Sequence, residues 1–376
     1  MKILLTGGGS GGHFYPVVSV AEMINLISEQ EKIARVEVLY MSDTPYNKEL
    51  LLQHGIIFKK TFAGKIRRYF SFLNFIDVFK TLFGIIKSVW SIFGDFPDVI
   101  FSKGGYASFP AVVSARIFGI PLLIHETDVV PGKVNQWAGK FAKRVAISFP
   151  EASKYFKEEK IALTGTPIRR EFFTPVKRRS AEDFLNLEPG VPTILVLGGS
   201  TGARNINENI LDILPELLEN YQIIHQCGKA NLKEMKERVE LVLEKTTHKT
   251  RYHLFDYLDL SYSVMAFGAT DLVVSRAGGT SISEIAATGL PSLMIPLTGS
   301  AQDHQKENAY AYARIGAADV LEEENLTPHV LLAEIRRLFG DKEKLKKMGE
   351  EAKKFSKPDA AEKIAREIIE LALSHS

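Results

Sequence analysis

The sequence predicts an α/β protein built from two similar Rossmann-like lobes, each a parallel sheet, with a cleft between them. Three observations predict it. Short apolar runs feed glycine-rich turns at Ile3-Leu4-Leu5-Thr6-Gly7-Gly8-Gly9-Ser10-Gly11-Gly12 and again at Ile194-Leu195-Val196-Leu197-Gly198-Gly199-Ser200-Thr201-Gly202, the two starts lying 191 residues apart in a chain of 376. Strand-length apolar runs alternate with helix-length segments throughout, as in parallel sheets covered on both faces. The composition, 45% apolar and 24% charged, is that of an ordinary globular protein with length for about two domains.

In the first lobe, strand-like runs follow the opening one at 36–41, 98–102, 122–125, 145–149 and 161–164, each four to six residues of mainly β-branched or aromatic character. In the second they fall at 222–226, 251–255, 271–275 and 292–296. The lobes are expected at 1–165 and 193–356. Residues 166–192, with Pro175, Lys177-Arg178-Arg179, Pro189-Gly190 and Pro192 and no clear period, read as hinge and linker. The tail 357–376 reads as a helix with Ile364, Ile368 and Leu371 at helical spacing, packed on a lobe and assigned with the first.

Charge and cysteine content narrow the function classes. Forty-seven Lys and Arg against 45 Asp and Glu leave a net charge of +2, so no global field attracts nucleic acid. The single cysteine, Cys227, cannot pair within the chain, and the apolar start is too short for a signal peptide, so a reducing cytoplasm is expected. Locally the balance differs. From Lys59 to Phe93 there are seven cations against one anion, Asp77, set among aromatics. Phe72, Phe75, Ile76, Phe79, Leu82, Phe83, Ile86, Val89, Trp90 and Phe93 recur every three or four residues, an apolar stripe expected to face the core. Off that stripe, Ile66, Tyr69, Phe70 and Leu73 beside Lys65, Arg67 and Arg68, with Val78 and Ile85, suit insertion into an anionic headgroup layer. No run is long enough to span a bilayer.

Open α/β sheets bind ligands beyond the carboxyl ends of their strands, where the glycine-rich and polar clusters fall. Gly7, Gly9 and Gly12 satisfy the GxGxxG spacing, and Asp43 after the second strand could hold a ribose, so a nicotinamide-dependent dehydrogenase is one reading. His13 at the mouth of the turn favours an active cleft, as a base or substrate ligand, over a helix-capping role. The second loop lacks the dinucleotide spacing but presents amides and hydroxyls to a phosphate, Ser200 foremost; the alternative is a bare strand-to-helix turn. Gly279-Thr280-Ser281-Ile282-Ser283-Glu284 opens a helix after an apolar strand, and Glu284 there can accept from a ribose diol or complement the helix dipole. Lys103-Gly104-Gly105-Tyr106 and His125-Glu126-Thr127-Asp128 follow first-lobe strands and should line the same rim as His13. No Asp-any-Asp pair, HExxH or CxxC occurs, so the common metal signatures are missing.

Taken together, Thr6 to Pro16, Gly104-Gly105-Tyr106, His125-Glu126, Thr164-Gly165-Thr166-Pro167-Ile168-Arg169, Gly198-Gly199-Ser200, Ser275-Arg276-Ala277-Gly278 and Ser283-Glu284 resemble, in order and spacing, the MurG family of peptidoglycan UDP-N-acetylglucosamine transferases, across nearly the whole chain. The resemblance implies a GT-B glycosyltransferase of family 28 that converts lipid I to lipid II, inverting and without a bound metal or other cofactor. It implies a C-terminal lobe holding UDP-N-acetylglucosamine and an N-terminal lobe holding the lipid-linked acceptor. Ser200 would contact the diphosphate, Glu284 the ribose, Gln305 the donor sugar, Arg169 the nucleotide and Leu258 the uracil region. Gly279, Thr280, Ser281, Ile282, Ser283 and Asp128 join the donor set. Ser10, Gly11 and Gly12 would approach the reacting sugar or the acceptor pyrophosphate, with Tyr106 on the acceptor side. His13 is the expected base, with His125 and Glu126 as substitutes or orienters. The implied setting is the cytoplasmic face of the cell membrane, held peripherally to an anionic surface, with other cell-wall enzymes as further partners. Two departures from the family pattern stand out: Thr127-Asp128 follow His-Glu where many members carry Gln-Asn, and His304 precedes Gln305 where many carry two glutamines. A nucleotide-sugar-binding scaffold at the membrane is the non-enzymatic alternative.

Overall fold

The computed structural model describes residues 1–64, 72–199 and 202–375, apart from the side chains of residues 72–74 and 301. The chain divides into two compact units, Met1–Arg169 with Lys357–Ser376, and Arg170–Ser356.

The first unit holds seven strands, β1 (Lys2–Thr6), β2 (Glu37–Ser42), β3 (Ile57–Lys60), β4 (Val99–Ser102), β5 (Leu122–Glu126), β6 (Arg144–Ile147) and β7 (Ile161–Leu163). They lie in the order β3-β2-β1-β4-β5-β6-β7, every neighbour parallel. The second unit holds β8 (Thr193–Leu197), β9 (Gln222–Gln226), β10 (Tyr252–Phe255), β11 (Leu272–Ser275), β12 (Ser292–Met294) and β13 (Ala318–Val320), parallel in the order β10-β9-β8-β11-β12-β13. In both sheets the order reverses beside the strand that feeds the glycine turn. That reversal opens a crevice at the strand ends, so the loops after β1 and β4, and after β8 and β11, are the ones a ligand meets.

The inner strands of each sheet are buried on both faces, which is why they read as continuous apolar runs. Ile3, Leu5, Val38, Tyr40, Val99 and Phe101 pack under the helix Gly11–Gln30, and Ile194, Val196, Ile223, Leu272, Val274 and Leu293 form the second core. The C-terminal helix Ala360–Leu373 returns to the first unit, where Ile364 and Ile368 are fully buried and Leu371 is partly so.

Two expectations are corrected. Residues 170–192 are not free linker: the helix Arg178–Leu185 packs on the helix Leu260–Ala269, Phe172 meets Phe267 edge-on at 5.3 Å, and Arg178 grips Asp271 through two hydrogen bonds of 2.6 and 2.8 Å. Phe172, Ala181, Leu185 and Leu187 are buried beside that grip, an apolar set too short to show a period in the sequence. The second correction concerns the helix Phe72–Asp95, whose apolar stripe points outward. Phe75, Ile76, Phe79, Leu82, Phe83, Ile86, Trp90 and Phe93 are exposed, as is Val78, while Gly84, Ser88 and Ile92 are buried. The inner face is small and hydroxylated. Thr81 Oγ1 accepts from the Gly64 N–H at 3.0 Å, Thr61 Oγ1 donates to the Gly84 carbonyl at 3.2 Å, and Ser114 Oγ donates to Ser88 Oγ at 3.1 Å. A Cβ at Gly84 would overlap the Phe62 carbonyl, so around Gly84 this face admits only small residues, with Ile92 one turn beyond Ser88 reaching the core, and the aromatic residues are left to the outside. Ile66, Arg67, Arg68, Tyr69 and Phe70, and the side chain of Leu73, lie outside the described residues.

Candidate functional site

In the first unit the site starts where β1 ends. Gly11 and Gly12 open the helix Gly11–Gln30, and Ser10 is its N-cap residue. A capping serine normally accepts from the amide three residues on. Here its hydroxyl faces the ring of that residue instead, with Ser10 Oγ 3.0 Å from His13 Nδ1. The half-exposed imidazole is thereby oriented through one nitrogen. Its other edge lies against the loop after β4: a Cβ at Gly105 would stand 3.2 Å from His13 Nε2, and Gly105 has φ +81°. Glycine is what lets the two loops close on the ring. Tyr106, next in that loop, donates its hydroxyl to Asp43 Oδ2 at 2.8 Å, and Ser42 donates to Asp43 Oδ1 at 3.3 Å. Burial, reinforced by Asp43, raises the Tyr106 phenol above its ordinary range. Asp43 is therefore engaged with the protein, which removes the ribose acid that the dehydrogenase reading needed.

His125 and Glu126, expected near the chemistry, are interior. His125 is fully buried on β5 with Nε2 2.9 Å from the Gly165 carbonyl, so it donates there, and burial followed by the charge of Lys103 holds its pKa well below the usual histidine value. Full burial, not its protonation state, keeps this ring from an incoming hydroxyl. Glu126 accepts from the amides of Thr127 (2.8 Å), Asp128 (3.0 Å) and Gly132 (3.1 Å) and from Asn135 Nδ2 (2.9 Å). Burial, then the neighbouring Asp128, raises its carboxyl above the usual range. It folds the loop 127–132 rather than facing a substrate. Lys103, also buried, donates its ammonium to Thr127 Oγ1, and burial lowers its pKa while Glu126 and Asp128 oppose that shift. Thr127 and Asp128, together the first of the two departures from the family pattern, thus share a cluster with a buried cation. The sequence reading placed Lys103 on the rim; its depth follows from β4 being central in the sheet. Arg169 belongs to this unit too, its guanidinium 4.5 Å from the ring centre of Tyr15.

The second unit repeats the arrangement with different side chains. The loop after β8 turns through Gly199 (φ +74°) and Gly202 (φ +79°) into the helix Arg204–Asp212; Ser200 lies outside the described residues. Gln226, at the end of β9, donates to the Gly199 carbonyl at 3.3 Å and accepts from the Leu258 N–H at 3.1 Å, tying this loop to the segment after β10. Sequence reasoning missed Gln226. Leu258 itself is buried, so its side chain packs inward.

After β11 comes the helix Gly279–Thr288, with Gly278 as N-cap residue. Ile282 is core and Ser283 Oγ donates to the Gly279 carbonyl at 2.9 Å, so neither side chain is presented to a ligand, contrary to the expectation. Thr280, Ser281 and Glu284 are half-exposed on the same early turns, where helical spacing puts them on one face. Gln305, after β12, accepts through Oε1 from the Leu297 N–H at 3.0 Å, while its main-chain N–H donates to Ser300 Oγ at 3.3 Å. Among the described residues no three His, Cys, Asp or Glu side chains cluster as a metal site.

Comparison with known proteins fits these two units. Residues 3–147 match the profile of the glycosyltransferase family 28 N-terminal domain and residues 193–364 that of its C-terminal domain. The chain belongs to glycosyltransferase family 28. It is similar to the UDP-N-acetylglucosamine--N-acetylmuramyl-(pentapeptide) pyrophosphoryl-undecaprenol N-acetylglucosamine transferase of Clostridium novyi, with 36% identity over 91% of this chain and 92% of that protein. The second such transferase of Bacillus cereus is 35% identical over 98% and 99%. Among solved structures, MurG of Acinetobacter baumannii aligns with a TM-score of 0.72 at 25% identity, over 98% of this chain and 99% of that one. A UDP-GlcNAc 2-epimerase from Neisseria meningitidis bound to UDP-GlcNAc shares the fold alone, with TM-score 0.67 at 13% identity over 98% and 100%. This family 28 chain is a UDP-sugar glycosyltransferase of two Rossmann-like units.

Proposed function

We propose that this chain moves N-acetylglucosamine from UDP-N-acetylglucosamine to the muramyl C4 hydroxyl of undecaprenyl-pyrophosphoryl-N-acetylmuramyl pentapeptide, lipid I, forming lipid II for peptidoglycan. The observation that carries the reading is His13, half-exposed at the glycine loop and oriented by Ser10, in a chain whose relatives are named for this reaction. In one displacement the acceptor oxygen bonds to the anomeric carbon while the carbon–phosphate-oxygen bond breaks, its electron pair leaving with UDP and the configuration inverting. The hydroxyl proton passes to His13 Nε2. That step requires the tautomer with the proton on Nδ1, which then donates to Ser10 Oγ. No enzyme nucleophile is needed.

In this reading the second unit holds the donor. Glu284 binds the ribose, and the amides opening the helices Arg204–Asp212 and Gly279–Thr288 receive the charge that grows on the diphosphate, so the reaction proceeds without a metal. The first unit holds the acceptor, and the outward apolar face of the helix Phe72–Asp95, amid the cations of the segment from Lys59 to Phe93, lies in an anionic headgroup layer on the cytoplasmic face of the membrane. Among the described residues no helix is long and apolar enough to cross a bilayer.

The test is transfer of labelled N-acetylglucosamine from its UDP donor to lipid I in EDTA, with UDP-glucose and UDP-N-acetylgalactosamine as competing donors. Transfer that survives chelation and prefers the N-acetylglucosamine donor supports the reaction and its metal independence. UDP binding without transfer returns the chain to the scaffold reading.

A further inference from the structure

Within the Arg170–Ser356 unit, one carboxylate joins the loops that follow three neighbouring strands. Glu323 stands just beyond β13. Its Oε1 accepts from Arg276 Nη2 and, at 3.3 Å, from Asn205 Nδ2; its Oε2 accepts from the Thr298 N–H at 2.9 Å. Arg276 follows β11, Thr298 follows β12, and Asn205 lies in the first turn of the helix behind the glycine loop of β8. Arg276 also donates Nη1 to the Ile295 carbonyl at 3.1 Å. The side chains of Arg276 and Glu323 are each only 12% exposed, so neither charge is well hydrated and each depends on the other.

The three tied loops are not equally rooted. Asn205 is followed by Ile206 and Ile210, and Arg276 is preceded by Val274 and Ser275, all buried. The loop after β12 has little such anchorage. Leu297, Thr298 and Gly299 are exposed, and Gln302 and Asp303 sit consecutively in the left-handed region at φ +56° and +52° without being glycine. Such backbone persists only where surrounding contacts over-determine it. Within the loop the Ser300 N–H donates to the Leu297 carbonyl and the Asp303 N–H to the Ser300 carbonyl, and its side-chain fastenings include the Thr298 N–H on Glu323, the Leu297 N–H on Gln305 and the Gln305 N–H on Ser300.

We propose that Glu323 is a positioning residue for donor-sugar selectivity: it fixes the 297–305 loop against Arg276 and the glycine-loop helix without touching the donor. The inference rests on the reading above that Gln305 contacts the sugar of UDP-N-acetylglucosamine. The uracil-side segment at Leu258 is held by Gln226, and the helices whose first turns carry Asn205 and Glu284 are rooted by the buried Ile206, Ile210, Ile282 and Ile285, so the nucleotide contacts lean on Glu323 far less than the 297–305 loop does.

The experiment is calorimetric titration of the full chain with UDP, UDP-N-acetylglucosamine and UDP-N-acetylgalactosamine, for wild type, Glu323→Gln and Glu323→Asp. The aspartate keeps the charge for Arg276 but is too short to reach the Thr298 N–H as well, so it tests the loop contact in a chain that keeps its ion pair. Glu216→Gln, at the exposed partner of Arg336, is the control and should leave every constant unchanged. Both Glu323 variants should weaken UDP-N-acetylglucosamine about tenfold, erase most of the preference over UDP-N-acetylgalactosamine, and move UDP by less than about threefold. In turnover the loss should fall on the donor KM, with kcat and the acceptor KM nearly kept. Equal weakening of UDP and UDP-N-acetylglucosamine, or no change in either, overturns the inference and leaves the functional reading standing. A wild-type chain that fails to bind UDP-N-acetylglucosamine overturns both.

Discussion

Replacing Phe79 and Trp90 with serine should detach this chain from anionic membranes without unfolding it. Phe79 is 56% exposed and Trp90 71% on the outward face of the helix Phe72–Asp95. With roughly 200 to 250 Å² per aromatic side chain, the pair offers about 290 Å² of apolar surface. At ~25 cal/mol per Å² that is about 7 kcal/mol for complete transfer to hydrocarbon. An in-plane helix sinks only to the boundary of headgroups and acyl chains, so about half is realised. That half is roughly 3.5 kcal/mol, or two to three orders of magnitude in affinity. The assay is co-sedimentation with phosphatidylglycerol vesicles at fixed ionic strength, alongside urea unfolding. Stability should stay within about 0.5 kcal/mol, as for other surface changes. Transfer to the full-length lipid acceptor should fall, and transfer to a short-chain, water-soluble acceptor should not. Wild-type affinity for vesicles in the double variant, or equal loss on both acceptors, would refute the reasoning.

Three further outcomes follow from the same geometry. Gly84→Ala, whose Cβ would overlap the Phe62 carbonyl, should destabilise by about 1 to 3 kcal/mol, whereas Gly94→Ala on the same helix, with open space around it, should be neutral or stabilise by up to ~1 kcal/mol; urea midpoints separate the two. His225 is fully buried, with Nδ1 2.8 Å from the Tyr252 hydroxyl and Nε2 3.0 Å from Asn207 Oδ1, and burial lowers its pKa to about 3. The unfolded chain therefore takes up a proton that the folded chain refuses, so stability should fall as pH drops below about 6.5, by at most ~1.4 kcal/mol per unit from this group. Unfolding free energies at a series of pH values should show that slope, and His225→Gln should reduce it by about one proton. His13→Ala should lower turnover by roughly 10² to 10⁴ with UDP-N-acetylglucosamine affinity kept, and Ser10→Ala should cost less because the imidazole remains. An unchanged kcat in steady-state assays of His13→Ala would remove that residue from the role.

Much of the site was legible in advance because glycine turns at strand ends are local chemistry. The two turns, His13 at the first and Glu284 on the helix after β11 could be placed from a few neighbouring residues, since a strand, a tight turn and a helix start need no distant partner. The interior role of His125 and Glu126 was not legible. Nothing in His-Glu-Thr-Asp says that the histidine will donate to Gly165 or that Asn135 will bond the glutamate, because those partners are nine or more residues away and are delivered by β5, β6 and the loops after them. Gln226 and Glu323 escaped for the same reason: each is a hub only once separate strands stand side by side.

The sequence by itself determined the periods and the punctuation: which stretches become strands, where the turns fall, and that the helix Phe72–Asp95 carries one apolar stripe. Tertiary structure decided which way that stripe faces. An amphipathic period fixes an angle around the helix axis but not which side meets the sheet, and the choice went to the face whose Gly84, Thr81 and Ser88 could approach the Phe62 carbonyl, the Gly64 amide and Ser114. Close contact and satisfied hydrogen bonds on the face of Gly84 and Ser88 left the aromatic face outward.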